Sequence, residues 1–269
     1  MLIYSFLLGL IQGITEFLPV SSSGHLILLP RILNFADQGL AVDAVLHLAT
    51  ALAIFVYFRK VWWGILLDWR QKNGLLRKIV VASIPAATVG LFFNNLIGTV
   101  LRSEWIVVIM LVLVAGLMWY VERNYTEVRK VQNLTNVADH TSRKELNLSW
   151  VQAILVGLAQ PFALIPGTSR SGITIIAGMW QHLPRAQAAQ FSFLLGAPIA
   201  LGAGLVKGRA LIGAGMDELT VVLVAGTVAF VVALTVMHWL LRFLQTGTLK
   251  LFVWYRLILA ILVVLMILW

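Results

Sequence analysis

The chain contains no cysteine in 269 residues, so neither a disulfide framework nor a thiolate-bound metal can be part of it. Charge is scarce as well: Asp, Glu, Lys and Arg make up 12% of the residues against 60% hydrophobic, and mean hydropathy is +0.92. That balance excludes an ordinary soluble domain. The residue-by-residue alternation of a membrane β-barrel is missing, which leaves helices as the elements that cross the bilayer. No basic stretch precedes the first apolar run, and Glu16 lies within that run before a Pro/Ser turn. The opening segment therefore reads as part of the folded protein rather than a removable signal peptide.

What the chain does have is a series of apolar runs of roughly 18–22 residues, each long enough to cross a hydrocarbon core about 30 Å thick. The formal net charge of +9 sits mainly in short loops between those runs. Such a distribution is a topology signal and not a nucleic-acid footprint.

The order of the chain predicts two similar halves. Residues 1–18 are apolar and helical in character, Leu18-Pro19-Val20-Ser21 interrupts them, and apolar character resumes over 22–33. Neither piece spans alone, so residues 1–35 read as a re-entrant helical hairpin, which is tolerated only where protein surrounds it. Full spans are expected at about 40–58, 79–97 and 105–121, with Pro85 as a kink. Residues 122–149 form the one long polar stretch and read as a cytoplasmic linker. The second half repeats the plan: a broken segment over 150–180, then spans near 186–206, 219–241 and 251–269. A constant shift of 148 residues carries Gly9, Leu10, Gln12, Ser21, Ser23 and Gly24 onto Gly157, Leu158, Gln160, Ser169, Ser171 and Gly172.

The expected fold is thus an all-α integral membrane protein with six transmembrane helices and two re-entrant hairpins, in two inverted-topology repeats over 1–121 and 150–269. If the hairpins do not cross, the basic loops at 59–78 and 123–144, together with Arg185, Arg242 and Lys250, share one side. Arg31, Arg102, Lys207 and Arg209 share the other. The richer side should be cytoplasmic, with both termini outside. Paired breaks in two inverted halves point to one site at mid-depth.

Charged side chains at bilayer depth cost about 2.5–3.5 kcal/mol each on insertion scales, so Glu16 and Arg170 read either as site residues or as an ion pair joining the two hairpins. In Pro19-Val20-Ser21-Ser22-Ser23-Gly24-His25 the serines can cap the helix that starts there. The same helix start suits an anion such as phosphate. The second break, Pro166-Gly167-Thr168-Ser169-Arg170-Ser171-Gly172, adds a guanidinium that can grip phosphate oxygens in parallel. Gln12 and Glu16, four apart, share one helix face and can hold a divalent ion, or Glu16 alone can act as a base. His25 is a candidate proton shuttle or nucleophile, or a histidine that satisfies a carbonyl. Asp43 and His47 share a face of the next span, as a packing pair or as site residues. His238 and Arg256 read as span-end residues that snorkel to the interface. Gly196, Pro198, Gly202 and Gly204 read as permitting close helix packing.

QGITEFLPVSSSGHL and PGTSRSGITI together resemble the two signature motifs of the undecaprenyl-diphosphate phosphatases, the bacitracin-resistance membrane enzymes, and the likeness continues through Asp43 to His47, Phe191-Ser192-Phe193-Leu194-Leu195 and Tyr255-Arg256. The resemblance implies a metal-assisted hydrolase that removes the terminal phosphate of a long polyprenyl diphosphate, regenerating the monophosphate carrier for envelope glycan synthesis in the cell membrane. Gln12 takes the variable place of the family's acidic motif and Glu16 the constant one, so this helix brings one carboxylate to a Mg2+ or Ca2+ ion. Ser22, Ser23 and His25 match the family's Ser/Thr and His positions, and Ser169 and Arg170 its phosphate-gripping pair. Glu16, Ser22, His25 and Arg170 are then the catalytic candidates, and Gln12, Ser21, Ser23, Gly24, Thr168, Ser169 and Ser171 the substrate-binding ones. The partners are the polyprenyl diphosphate and membrane lipids, with a homodimer as a candidate assembly. The rival class is a secondary transporter or lipid-phosphate flippase, because inverted repeats with broken helices are also a transporter architecture.

Overall fold

The computed structural model describes residues 2–32, 39–67, 70, 74–93, 101, 103–135, 146, 148–209 and 215–269. Of the positions in the charge count above, Lys72, Arg102, Arg143 and Lys144 lie outside these. The described regular structure is helical throughout: α1 (Leu2–Thr15), α2 (Ser22–Ile32), α3 (Gly39–Tyr57), α4 (Arg59–Leu67), α5 (Leu75–Phe92), α6 (Glu104–Thr135), α7 (Trp150–Ala159), a 3-10 turn (Gln160–Leu164), α8 (Arg170–Trp180), α9 (Arg185–Gly208), α10 (Met216–Thr246) and α11 (Lys250–Leu268). Among the described residues, α5, α6, α9, α10 and α11 are long and apolar enough to cross a membrane. A sixth span counts if α3 and α4, bent by 73° at their junction, are taken together. The chain is an all-helical, multi-span membrane protein.

Both breaks fall where Pro, Gly and Ser cluster. α1 stops at Thr15, residues 16–20 turn, and α2 starts at Ser22. In the second half a capping box at Ser149 and Gln152 starts α7. Pro161 then ends its α-helical run, because its ring collides with the carbonyl four residues back. The backbone tightens into the 3-10 turn before α8.

α6 departs from expectation: it continues past Val121, through half of the polar stretch, to Thr135. Loss of apolar character marks where a helix leaves lipid, not where its hydrogen bonds end, and no Gly or Pro follows Gly116 in this helix to stop it. Glu122, which opens that polar stretch, is fully buried; it pairs with Arg185 and accepts from the Leu249 amide at 3.1 Å. Lys78, expected in a basic loop, is buried inside α5, where it donates to the Leu148 carbonyl.

Helices meet through small residues, since lipid leaves little hydrophobic drive between them and close contact must supply the attraction. α1 lies on α10 and α7 on α5, and each contact is set by a glycine. A Cβ at Gly9 would stand 2.3 Å from the Ala225 carbonyl oxygen, and one at Gly157 2.5 Å from that of Ala82. Gly204 has the expected packing role, with a Cβ position 2.7 Å from that of Leu48. The largest core gathers around both breaks, with Phe17 edge-on to Phe193 at 5.1 Å. Outward faces such as Trp254, Ile261 and Leu265 of α11 are apolar and exposed, as contact with lipid requires.

Candidate active site

The two breaks touch. Ser171 Oγ donates to the Leu18 carbonyl at 3.1 Å, and Arg256 reaches both corners, donating to the carbonyls of Pro19 (3.2 Å) and Gly167 (2.7 Å). Two further donors go to Leu111 (3.2 Å) and Met110 (3.0 Å). Arg256 is fully buried, so the snorkelling expected of it is overturned. Two carbonyls of the irregular corners and two of helix α6 hold the guanidinium inside, where the fork geometry of Arg suits several acceptors at once. Gly167, at φ +93°, occupies a conformation that a side chain would strain. A Cβ there would also lie 2.6 Å from the Val107 carbonyl oxygen.

The corners share one local design. Ser21 and Ser169 both have left-handed φ, 77° and 73°, which costs a non-glycine residue about 1–3 kcal/mol. Each offsets part of that by capping the helix that follows: Ser21 Oγ accepts from the Gly24 amide at 3.3 Å, Ser169 Oγ from Gly172 at 3.1 Å. Their hydroxyls lie 3.4 and 3.2 Å from those of Ser23 and Ser171.

Glu16, 6% exposed, is the hub beside this junction. Arg170 Nη2 donates to its Oε1 at 2.8 Å. Three groups converge on Oε2: Ser22 Oγ donates at 2.7 Å, His47 Nδ1 lies at 2.9 Å and Gln12 Nε2 donates at 3.1 Å. So close to a carboxylate oxygen, His47 Nδ1 carries a proton. Glu16, Ser22, Ser23, Asp43, His47, Ser169 and Arg170 line a cavity of about 260 Å³ whose other walls are largely apolar, among them Leu26, Ile27 and Ile199. Gly196 of α9 makes room for the guanidinium, since a Cβ there would fall 0.9 Å from Arg170 Nη1. It was expected only to help helices pack; its contact is with the site.

The structure thus brings together Glu16, Gln12, Ser22 and Arg170, with Ser23 and Ser169 on the cavity wall. Ser21, Gly24 and Ser171 shape the corners, and Thr168 is buried behind them. His25 is directed elsewhere: its Nδ1 donates to the Ser21 carbonyl at 2.7 Å, its Nε2 meets the Tyr255 hydroxyl at 2.7 Å, and the two rings stack. Of its two sequence readings, the one that satisfies a carbonyl describes this contact. Sequence reasoning gave His47 no preference as a site residue, and only the pairing of Asp43 and His47 on one helix face signalled it.

Ionisable groups gathered among spanning helices, facing a cavity and each other, mark a membrane protein with a polar functional centre inside its bundle. The comparison with known proteins narrows that class. The chain belongs to the bacitracin resistance protein BacA family, whose profile matches residues 5–262. It is 41% identical over 266 residues to the undecaprenyl-diphosphatase of Trichlorobacter lovleyi, covering 95% of this chain and 93% of that one. The undecaprenyl-diphosphatase of Teredinibacter turnerae is 40% identical over 272 residues, 97% of each chain. That of Aliivibrio salmonicida is 38% identical over 268, covering 95% and 94%.

Proposed function

We propose that this protein is an undecaprenyl-diphosphatase of the cell membrane, cleaving the lipid diphosphate to undecaprenyl monophosphate and inorganic phosphate. The observation that carries the reading is the Glu16 carboxylate shared between a hydroxyl that can attack phosphorus, Ser22, and a guanidinium that can grip phosphate, Arg170. In the resting site Glu16 occupies Arg170 as a phosphate would. An arriving diphosphate competes for the guanidinium, freeing Glu16 to act as base, while the apolar walls take the first prenyl units.

In the first step Ser22 Oγ passes its proton to Glu16 Oε2 and attacks the terminal phosphorus. The bridging P–O bond breaks and the lipid monophosphate leaves with the electron pair. Water then attacks the phosphoserine. The Oγ–P bond breaks, Ser22 recovers its proton from Glu16, and phosphate departs carrying both protons of the water. Arg170 holds the equatorial oxygens in both steps, the kind of fixed electrostatic support on which phosphoryl transfer depends. His25 acts on Ser22 only through the corner it braces.

A divalent cation, Mg2+ or Ca2+, is the proposed cofactor. Among the described residues no three His, Asp or Glu side chains group to hold an ion. Gln12 Oε1 is buried and without a partner, but it is the amide nitrogen of Gln12 that faces Glu16, and both Glu16 oxygens already accept from donors, so the resting residues do not fit an ion and a cation would have to arrive with the diphosphate. When bound, it would neutralise charge on the phosphate oxygens.

The finer architecture belongs to the same proposal: inverted repeats over 1–121 and 150–269, each opening with a re-entrant hairpin, and joined by residues 122–149 on the cytoplasmic side. The matched corners at Ser21 and Ser169 and the matched glycine contacts of α1 and α7 support it. A homodimer is the remaining expected assembly, to be checked by native mass spectrometry.

The test is phosphate release from undecaprenyl diphosphate by purified protein in detergent, with no membrane gradient, with and without divalent ions. A transporter releases none. Ser22→Ala should abolish both turnover and a trappable phosphoserine; full activity in that variant discards the covalent route.

A further inference from the structure

Gln160 opens the 3-10 turn, is 2% exposed and lines the same cavity as Glu16 and Arg170. Both ends of its amide, Oε1 and Nε2, are buried without a partner. So is Nη1 of Arg170, the half of that guanidinium not given to Glu16. A buried amide with neither bond made is costly, and a leucine or methionine of similar volume would avoid the cost. Its counterpart at the 148-residue shift, Gln12, spends its amide nitrogen on Glu16. The second half has Leu164 where the first has Glu16, so Gln160 has no such acceptor. A carboxamide kept unpaired at the wall of a cavity calls for a ligand that brings its own acceptors.

We infer that Gln160 is a substrate-binding residue: its Nε2 donates to a phosphate oxygen of the diphosphate in the cavity that Arg170 also lines. Its Oε1 accepts from a protonated phosphate oxygen or a water on it. The inference rests on the diphosphatase reading and adds a second polar anchor from the same half of the chain as Arg170. It acts in binding and transfers no proton.

The probe is the non-hydrolysable methylenediphosphonate analogue of farnesyl diphosphate, titrated calorimetrically into the detergent-solubilised full chain, with thermal midpoints measured on the ligand-free protein. Gln160→Leu should weaken binding roughly tenfold to a hundredfold, the range for one hydrogen bond to a charged acceptor. The ligand-free midpoint should stay level or rise, because an unsatisfied amide has gone. Binding within twofold of the wild type overturns the assignment, whatever the midpoint does. If Gln160→Leu does not fold, Gln160→Asn withdraws the amide by one methylene and should also weaken binding; unchanged affinity there overturns it equally. Failure of the wild type both to bind the analogue and to release phosphate sinks the diphosphatase reading itself. A wild type that does both beside an unaffected variant sinks only the role of Gln160.

Discussion

Gly196→Ala adds a single methyl group, and the geometry assigns it a large effect. The new Cβ would lie 0.9 Å from Arg170 Nη1, 2.1 Å from Cζ and 2.9 Å from Nε. Ordinary contact begins at 3.4 Å, so the guanidinium must retreat by about 2.5 Å at its closest atom. That displacement takes Nη2 out of reach of Glu16 Oε1, now 2.8 Å away. Arg170 is a flexible side chain beside a cavity, so it relocates, and the fold survives with a loss of about 1–3 kcal/mol for the broken contact. Catalysis has no such escape. Losing one prearranged donor to the transferred phosphoryl group costs about 2.7–4 kcal/mol, or about 10²–10³ in turnover. Phosphate release by Gly196→Ala, compared with Arg170→Ala and with the double variant, checks this. The double variant should be no slower than Arg170→Ala alone, since both changes remove the same group. Activity of Gly196→Ala within threefold of the wild type would refute the assignment of Arg170, as placed here, to the reacting phosphate.

Glu16→Gln keeps the shape of the hub but removes the base, and should lower kcat by about 10²–10⁴ in the phosphate-release assay, with protein still monodisperse in detergent. Arg256→Lys leaves three donors for four carbonyls and a shorter reach. At about 1–3 kcal/mol for each buried acceptor left bare, the thermal midpoint should fall by several degrees. Glu122→Ala strands Arg185 and the Leu249 amide, a loss of about 3–5 kcal/mol seen in detergent melting. Glu122 lies twelve residues along α6 from Met110, about 18 Å at the helical rise, so kcat/KM of the folded fraction should be unchanged.

The breaks were legible because they depend on local chemistry: Pro19 and the serines, then Pro166, Gly167 and Ser169, disrupt a helix wherever the chain runs. The structure starts α2 at Ser22 and α8 at Arg170, as those residues dictate. What stayed hidden depends on which distant groups come together. Arg256 sits seven residues into an apolar helix, and hydropathy does not distinguish a guanidinium that reaches headgroups from one that finds four carbonyls on other elements. His47 acquires a role only because Glu16, thirty-one residues earlier, is folded against it. Glu122 and Lys78 looked like solvated loop charges for the same reason: their partners, Arg185 and the Leu148 carbonyl, are far along the chain.

The dependence of both corners on Arg256 also gives the protein an order of assembly. α11 comes after both corners in the chain, and until it packs the carbonyls of Pro19 and Gly167 lack the guanidinium they share. Polypeptides in which α11 has not yet packed can still join the corners through Ser171 and Leu18, yet they lack the clamp that Arg256 adds. The fully braced junction therefore forms only once α11 has been made and has packed.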